Sequence, residues 1–346
     1  MSAPLLPPAE LAALRVLSAR AGSDPTLTQA AGGNTSVKDG DVMWIKASGT
    51  QLAEAMTRDI FVPVDLPAMR SALAAGDSSA DQPAAFALSG TLRPSIETSL
   101  HAVFSQRIVV HVHCVNSIAL MICADARAHL ETRLAGFNWA SVPYAKPGAQ
   151  LAALVTAALG PKTDVMLLGN HGLIVAAQSV ADADALLTAV VTALSTPPRP
   201  MPAPDMAALT HRASIDYIPC AATHPLHGVA LDPEQLAAAL GGSLYPDHVI
   251  FCGVGALALG PQETAEAVAA KRQSQGLPAP VFLLVPGIGA LIRADASPSA
   301  LALSRCLGDV LARLPPGGQP LWLSDAQNAD LLNWDAEKYR QSLNAN

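Results

Sequence analysis

Residues 94–114 read PSIETSLHAVFSQRIVVHVHC. Glu97 and His101 stand four apart, and His111 and His113 stand two apart. The two spacings predict two different elements. Groups at i and i+4 share one face of a helix. IVVHVH is rich in β-branched residues and reads as a strand, where i and i+2 point to the same side. One strand thus presents two imidazoles side by side, with a carboxylate arriving from the preceding helix. That arrangement suits an open divalent metal site with a base close by.

Working outward, 346 residues suffice for a full core and predict two domains. The chain is 51% hydrophobic, yet no apolar run is long enough to span a bilayer. The N-terminus lacks a basic segment followed by a long apolar stretch, so no secretory signal is expected. Cys114, Cys123, Cys220, Cys252 and Cys306 are odd in number, scattered and without a CxxC pair, as expected of free buried thiols in the cytoplasm. A net charge of -7 without a basic run argues against nucleic acid as a partner. A phosphorylated substrate stays compatible, because amides and hydroxyls bind phosphate without global positive charge.

Residues 8–21 have helical spacing. SVK and VMWIKA predict two strands joined at Lys38–Asp41, with Gly32-Gly33 and Ser48-Gly49 at corresponding ends. Those glycine ends, beside Asn34, Thr35, Ser36, Ser48 and Thr50, could hold an anion or could serve only as turns. Residues 59–66 predict a strand entering a helix, and 76–93 a loop or hairpin. Residues 116–136 predict one helical stretch, SVPYAKPG a strand, and 149–160 a helix stopped by Gly160. TDVMLLGNHGLIVAA predicts a strand, a turn around His171 and a second strand. Glycines on both sides of the Asn-His pair permit close backbone approach and leave the imidazole accessible. Three imidazoles, His111, His113 and His171, plus an open position make a catalytic zinc pattern. His101 is expected to pack or bond within its own helix. His129, His211, His224, His227 and His248 form no comparable group.

Pro197, Pro198, Pro200, Pro202 and Pro204 mark an extended linker at 197–204. Residues 1–196 precede it as the catalytic domain, and 205–346 follow as a smaller α/β domain. In the latter, LDPEQLAAAL and PQETAEAVAAKRQ predict helices, DHVIFCGV a strand, and PVFLLVPGIGALIRA two strands. A helix capped by Ser297 and a polar helical tail containing Trp334 complete it. PGIG is too short and apolar for a dinucleotide fingerprint.

Four ordered blocks, GGNTSVK, KASGTQL, PSIETSLHAVFSQRIVVHVH and LLGNHGLIV, resemble the class II aldolase/adducin family. This is the fuculose- and rhamnulose-phosphate aldolase type. The wording resembles in particular the aldolase part of bifunctional rhamnulose-phosphate aldolase/alcohol dehydrogenases, whose following segment is similar to YPDHVIFCG and VPGIGALI. No dehydrogenase activity is carried over. The resemblance spans roughly residues 8–196. It implies a three-layer αβα fold with a mostly antiparallel sheet. By the same resemblance, His111, His113 and His171 hold a divalent metal, zinc by family habit, and Glu97 is the acid/base. Asn34, Ser48, Gly49 and Ser95 match phosphate-holding positions. Relatives often carry a second serine where this chain has Ile96, which removes one hydroxyl. The family forms homotetramers with active sites between subunits, some supplying a catalytic tyrosine; Tyr144 is a candidate.

The implied reaction is retro-aldol cleavage of a ketose phosphate or related polyol through a metal-stabilised enediolate. Two alternatives stay open. An epimerase or decarboxylase would use the same metal. An adducin-like binding protein would be non-catalytic, though the three histidines and Glu97 argue against it.

Overall fold

β1 (Asn34–Asp39) alternates two kinds of surface, and the first folding unit is built around that alternation. Asn34, Ser36 and Lys38 face one way, Thr35 and Val37 the other. The computed structural model describes residues 6–334. In chain order, α1 (Glu10–Ser23) precedes β1, then come β2 (Val42–Lys46), β3 (Phe61–Asp65), α2 (Leu66–Ala75), α3 (Thr98–Ala102), β4 (Ile108–Val112), α4 (Val115–Met121) and α5 (Ala126–Arg133). β5 (Trp139–Val142), α6 (Ala149–Ala158), β6 (Val165–Leu168), β7 (Gly172–Ala177) and α7 (Val180–Leu194) follow. The later elements are α8 (Met206–Arg212), β8 (Tyr217–Pro219), α9 (Leu226–Leu231), α10 (Pro233–Leu240), α11 (Pro246–Cys252) and α12 (Ala265–Ser274). They end with β9 (Phe282–Val285), β10 (Gly289–Arg293), α13 (Pro298–Leu311) and α14 (Asp325–Leu332).

The chain divides into two compact units, one of residues 1–117 and 131–194, the other of 118–130 and 195–346. The first holds a seven-stranded sheet in the order β3-β2-β1-β4-β7-β6-β5. All its pairs are antiparallel except β5 with β6. α1 and α7 cover one face, and α2, α3 and α6 the other, giving three layers. On the second face, Leu100 and Phe104 pack with Val109, Met166, Leu168 and Ile174 in one buried cluster. His111 follows Val109 by two residues and shares that face.

The second unit carries a three-stranded antiparallel sheet, β8-β10-β9, with Tyr217, Leu283 and Leu291 in its core. Residues 195–205 have no helix or strand. They are held to this unit at Arg199, whose amide donates to Ala312 O and whose guanidinium pairs with Asp232 and Glu234.

Local expectations change at two places, 247–252 and 116–136. Residues 247–252, expected as a strand, form α11, because Pro246 occupies its first turn and starts a helix there. The stretch 116–136 is two helices, broken at Cys123–Asp125, where Cys123 bridges to Pro320 and the Ala124 amide donates to Gln319 O. Residues 76–93 make two short 3-10 turns at Ser78–Asp81 and Pro83–Phe86. The end of the tail, 335–346, lies outside the described residues.

Candidate metal centre

Four side chains from three separate parts of the first unit reach the same buried place. β4 carries His111, and His113 follows it just past the strand end. The turn between β6 and β7 carries His171, and Glu97 is the residue before α3. Pairing sets the register: Asn34 of β1 stands opposite His111, which stands opposite Ile174 of β7. Gly172 lets β7 come this close. A Cβ there would lie 2.4 Å from Val112 O and 3.3 Å from His111 Cε1. Gly33 does the same on the other side, where a Cβ would sit 2.8 Å from His111 O and φ is +66°.

One ligand-type atom from each of Glu97, His111, His113 and His171 falls within 4.8 Å of all the others. The three ring centroids form a nearly equilateral triangle of 4.9, 4.9 and 5.0 Å, each pair edge-on. His111 Nε2 lies 3.4 Å from Glu97 Oε2, and His171 Nε2 lies 3.4 Å from Oε1. His111 Nδ1 stands 3.1 Å from Leu173 O. A carbonyl only accepts, so Nδ1 carries a proton and Nε2 is the ring nitrogen that faces inward. That nitrogen lies 3.1 Å from His113 Nε2.

Burial pushes the Glu97 carboxyl up, but His111, His171 and His113, with a hydrogen bond from Asn34, outweigh it and hold it at about 2. Asn34 Nδ2 donates to Glu97 Oε2 at 2.8 Å and to Ser95 Oγ at 3.1 Å. Glu97 Oε1 is buried and receives no hydrogen bond. One ionised carboxylate and three inward imidazoles form a donor set that a divalent cation satisfies. The residues therefore fit the metal that the sequence implied.

The expected phosphate residues fall into two groups. Asn34 and Ser95 join Glu97 directly. Ser48 and Gly49 sit in the neighbouring loop, where the Ser48 amide donates to Arg93 O and Ser95 N to Lys46 O. Tyr144 lies against the histidine turn, its backbone N 2.5 Å from where a Cβ on Gly169 would be. Ile96 is half-buried beside Glu97.

Sequence reasoning passed over Lys46 and, for His101, foresaw the packing but not the hydrogen-bond partner. Lys46 is buried on β2, and its Nζ donates to Ala31 O at 2.9 Å and Thr50 O at 2.6 Å. It thereby ties the two glycine loops together. A lysine inside the apolar run VMWIKA was the available signal, since a buried amine needs acceptors. The His101 ring is buried but bonds across to β1 and not along its helix, with Nδ1 2.7 Å from Ser36 Oγ.

The described residues contain no helix long and apolar enough to cross a membrane. Comparison with known proteins bears on the first unit. Over 170 residues the chain is 33% identical to the uncharacterized oxidoreductase YuxG of Bacillus subtilis (strain 168), covering 44% of this chain and 24% of that protein. The chain thus spans about a quarter of that relative's length. Among solved structures, the N-terminal class II aldolase domain of a conserved protein from Thermoplasma acidophilum matches at 24% identity and TM-score 0.49, covering 56% of this chain and 95% of that one. An L-fuculose-1-phosphate aldolase from Thermus thermophilus matches at 21% identity and TM-score 0.38, covering 54% of this chain and 92% of that one. The family model for the Class II Aldolase and Adducin N-terminal domain matches residues 15–196, more than half of the chain. This protein belongs to the class II aldolase and adducin family.

Proposed function

We propose that this chain is a metal-dependent carbon–carbon lyase that cleaves a ketose phosphate or related polyol in a reversible retro-aldol reaction. The observation that carries the reading is the convergence of Glu97 with three imidazoles inside 4.8 Å. His111, His113 and His171 are assigned as ligands of a divalent ion, taken as zinc. Held there, such an ion would supply Lewis-acid stabilisation for the negative charge that bond cleavage leaves beside the carbonyl. Neutral imidazoles leave most of the ion's charge available for that purpose.

Glu97 is assigned the proton transfer at the carbon next to the carbonyl. Its carboxylate sits beside the imidazole nitrogens, and Asn34 holds one oxygen by hydrogen bond, leaving Oε1 without a donor. Asn34, Ser48, Gly49 and Ser95 are assigned to the substrate phosphate, with Ser95 and Asn34 already linked at 3.1 Å. The assigned catalytic domain is residues 1–196, followed by the proline-rich stretch at 197–204 and a domain of 205–346. The reading includes a cytoplasmic homotetramer; light scattering after size exclusion gives the subunit number, and a monomer removes that part.

The test incubates zinc-loaded protein with a panel of ketose 1-phosphates and follows aldehyde release, with products identified by NMR. Release that is abolished by chelation, and lowered about 100-fold or more by Glu97→Gln, supports the reading. Epimerised or decarboxylated products overturn the lyase assignment, and cleavage that survives both treatments overturns the assigned site.

A further inference from the structure

α3 has five residues, Thr98–Ala102, too few to be stable by its own hydrogen bonds. Yet Glu97, directly before it, has to be aimed to within a fraction of an ångström to serve as acid/base. Something outside the helix must hold it. The inward face of β1 does so at three successive positions. Asn34 Nδ2 donates to Glu97 Oε2 at 2.8 Å. Two residues on, Ser36 Oγ meets His101 Nδ1 at 2.7 Å. Two residues further, Lys38 Nζ donates to Phe104 O at 2.9 Å and Gln106 O at 2.8 Å.

The spacing explains why these residue types recur at this interval. Alternate residues of a strand advance about 6.6 Å, and residues four apart on a helix advance about 6 Å. Asn34 with Ser36 therefore matches Glu97 with His101 nearly rung for rung. His101 is completely buried, and that burial keeps its pKa well below the ordinary value, so the ring is neutral. A neutral ring and a serine hydroxyl bond in either direction without burying a charge. Arg70 fixes the far end of the helix, donating to Ala102 O at 2.8 Å and Phe104 O at 3.0 Å.

We infer that Ser36 and His101 are positioning residues: their hydrogen bond locks α3 against β1 and thereby sets the aim of Glu97, although neither is itself a metal ligand. This rests on the proposed function only for its kinetic readout. The variants are Ser36→Ala, His101→Leu, the double variant, His101→Asn and, as a control on the same helix, Ser99→Ala, which removes a buried hydroxyl with no partner. The asparagine amide reaches the place of Nδ1 and restores the bond.

Zinc-loaded protein labelled with ¹³C-glutamate is the sample, and the carboxyl resonance of Glu97 is assigned by its loss in Glu97→Gln. The resonance shifts or broadens alike in Ser36→Ala, His101→Leu and the double variant, and returns in His101→Asn. With a cleaved substrate in hand, kcat falls about 10- to 100-fold in the same variants, while KM stays within about threefold and zinc remains stoichiometric. Ser99→Ala changes neither. Where His101→Leu fails to fold, Ser36→Ala alone decides. A Glu97 resonance in Ser36→Ala that matches Ser99→Ala overturns the inference. Failure of every sugar phosphate to react, with the resonance shift present, overturns the proposed reaction and leaves the positioning intact.

Discussion

The residue that permits the centre is one with no side chain. Gly172 begins β7 immediately after His171, and its missing Cβ is what lets the Val112 carbonyl and the His111 ring approach. Gly172→Ala forces a Cβ to 2.4 Å from backbone, which a flexible side chain cannot relieve. Overpacking of this kind costs about 1–3 kcal/mol. Because the strain falls between His171 and His111, the variant should also lose zinc affinity, which isothermal titration reads directly. Unchanged affinity with a lowered melting temperature would separate the packing role from the site. Spacing made Glu97, His111 and His113 legible, while His171 joined them through its glycine-flanked turn and the resemblance of E…HxH…NHG to the family. Asn34 was legible only as part of a glycine block; its hydrogen bond to Glu97 runs from β1 to the start of α3, a long-range contact that linear spacing does not carry.

At the level of elements, β1 and β2 owe their order to buried lysines with defined acceptors. Lys46 bridges Ala31 O and Thr50 O, and so joins the loops on either side of the hairpin. Lys46→Met leaves both carbonyls unsatisfied, at about 1–3 kcal/mol each. The predicted outcome is a lower denaturation midpoint and, for a phosphorylated substrate, a KM that rises more than kcat falls.

Lys38 gives a pH signature. Burial, with Arg70 adding, brings its amine down from 10.5 to about 7. Between those values the unfolded chain holds a proton that the folded chain does not. Stability from this group is therefore complete above about pH 10.5 and is lost as the pH falls towards 7, at up to about 1.4 kcal/mol per pH unit. Urea denaturation at pH 7 and pH 9 should show the wild type gaining stability relative to Lys38→Met as the pH rises. A constant difference would contradict the buried, neutral amine.

Short, continuous apolar runs were read correctly as strands at β4, β6 and β7. The same reading failed at α11, where VIFC reads as a strand but Pro246 starts a helix that buries nearly all round. β-Propensity is a weak guide when both faces are apolar. The break at Cys123 was invisible because the partners that stop the helix, Gln319 and Pro320, lie almost two hundred residues away in sequence.

For the molecule as a whole, the proposed divalent ion lies where three separate parts of the first unit meet. Anything that binds only the folded state stabilises it. Removing the ion should therefore lower the melting temperature of the first unit's transition, and zinc should restore it. The proline-rich stretch was legible as a break in regular structure. Its attachment to the second unit through Arg199 was not, because that depends on Asp232, Glu234 and Ala312. The decisive measurement is metal content after exhaustive dialysis of zinc-loaded protein. One zinc per chain in the wild type, less than about a tenth of that in His111→Ala, His113→Ala and His171→Ala, and retention in Glu97→Gln is the predicted result. A wild type without stoichiometric metal, or histidine variants that keep it in full, would contradict it.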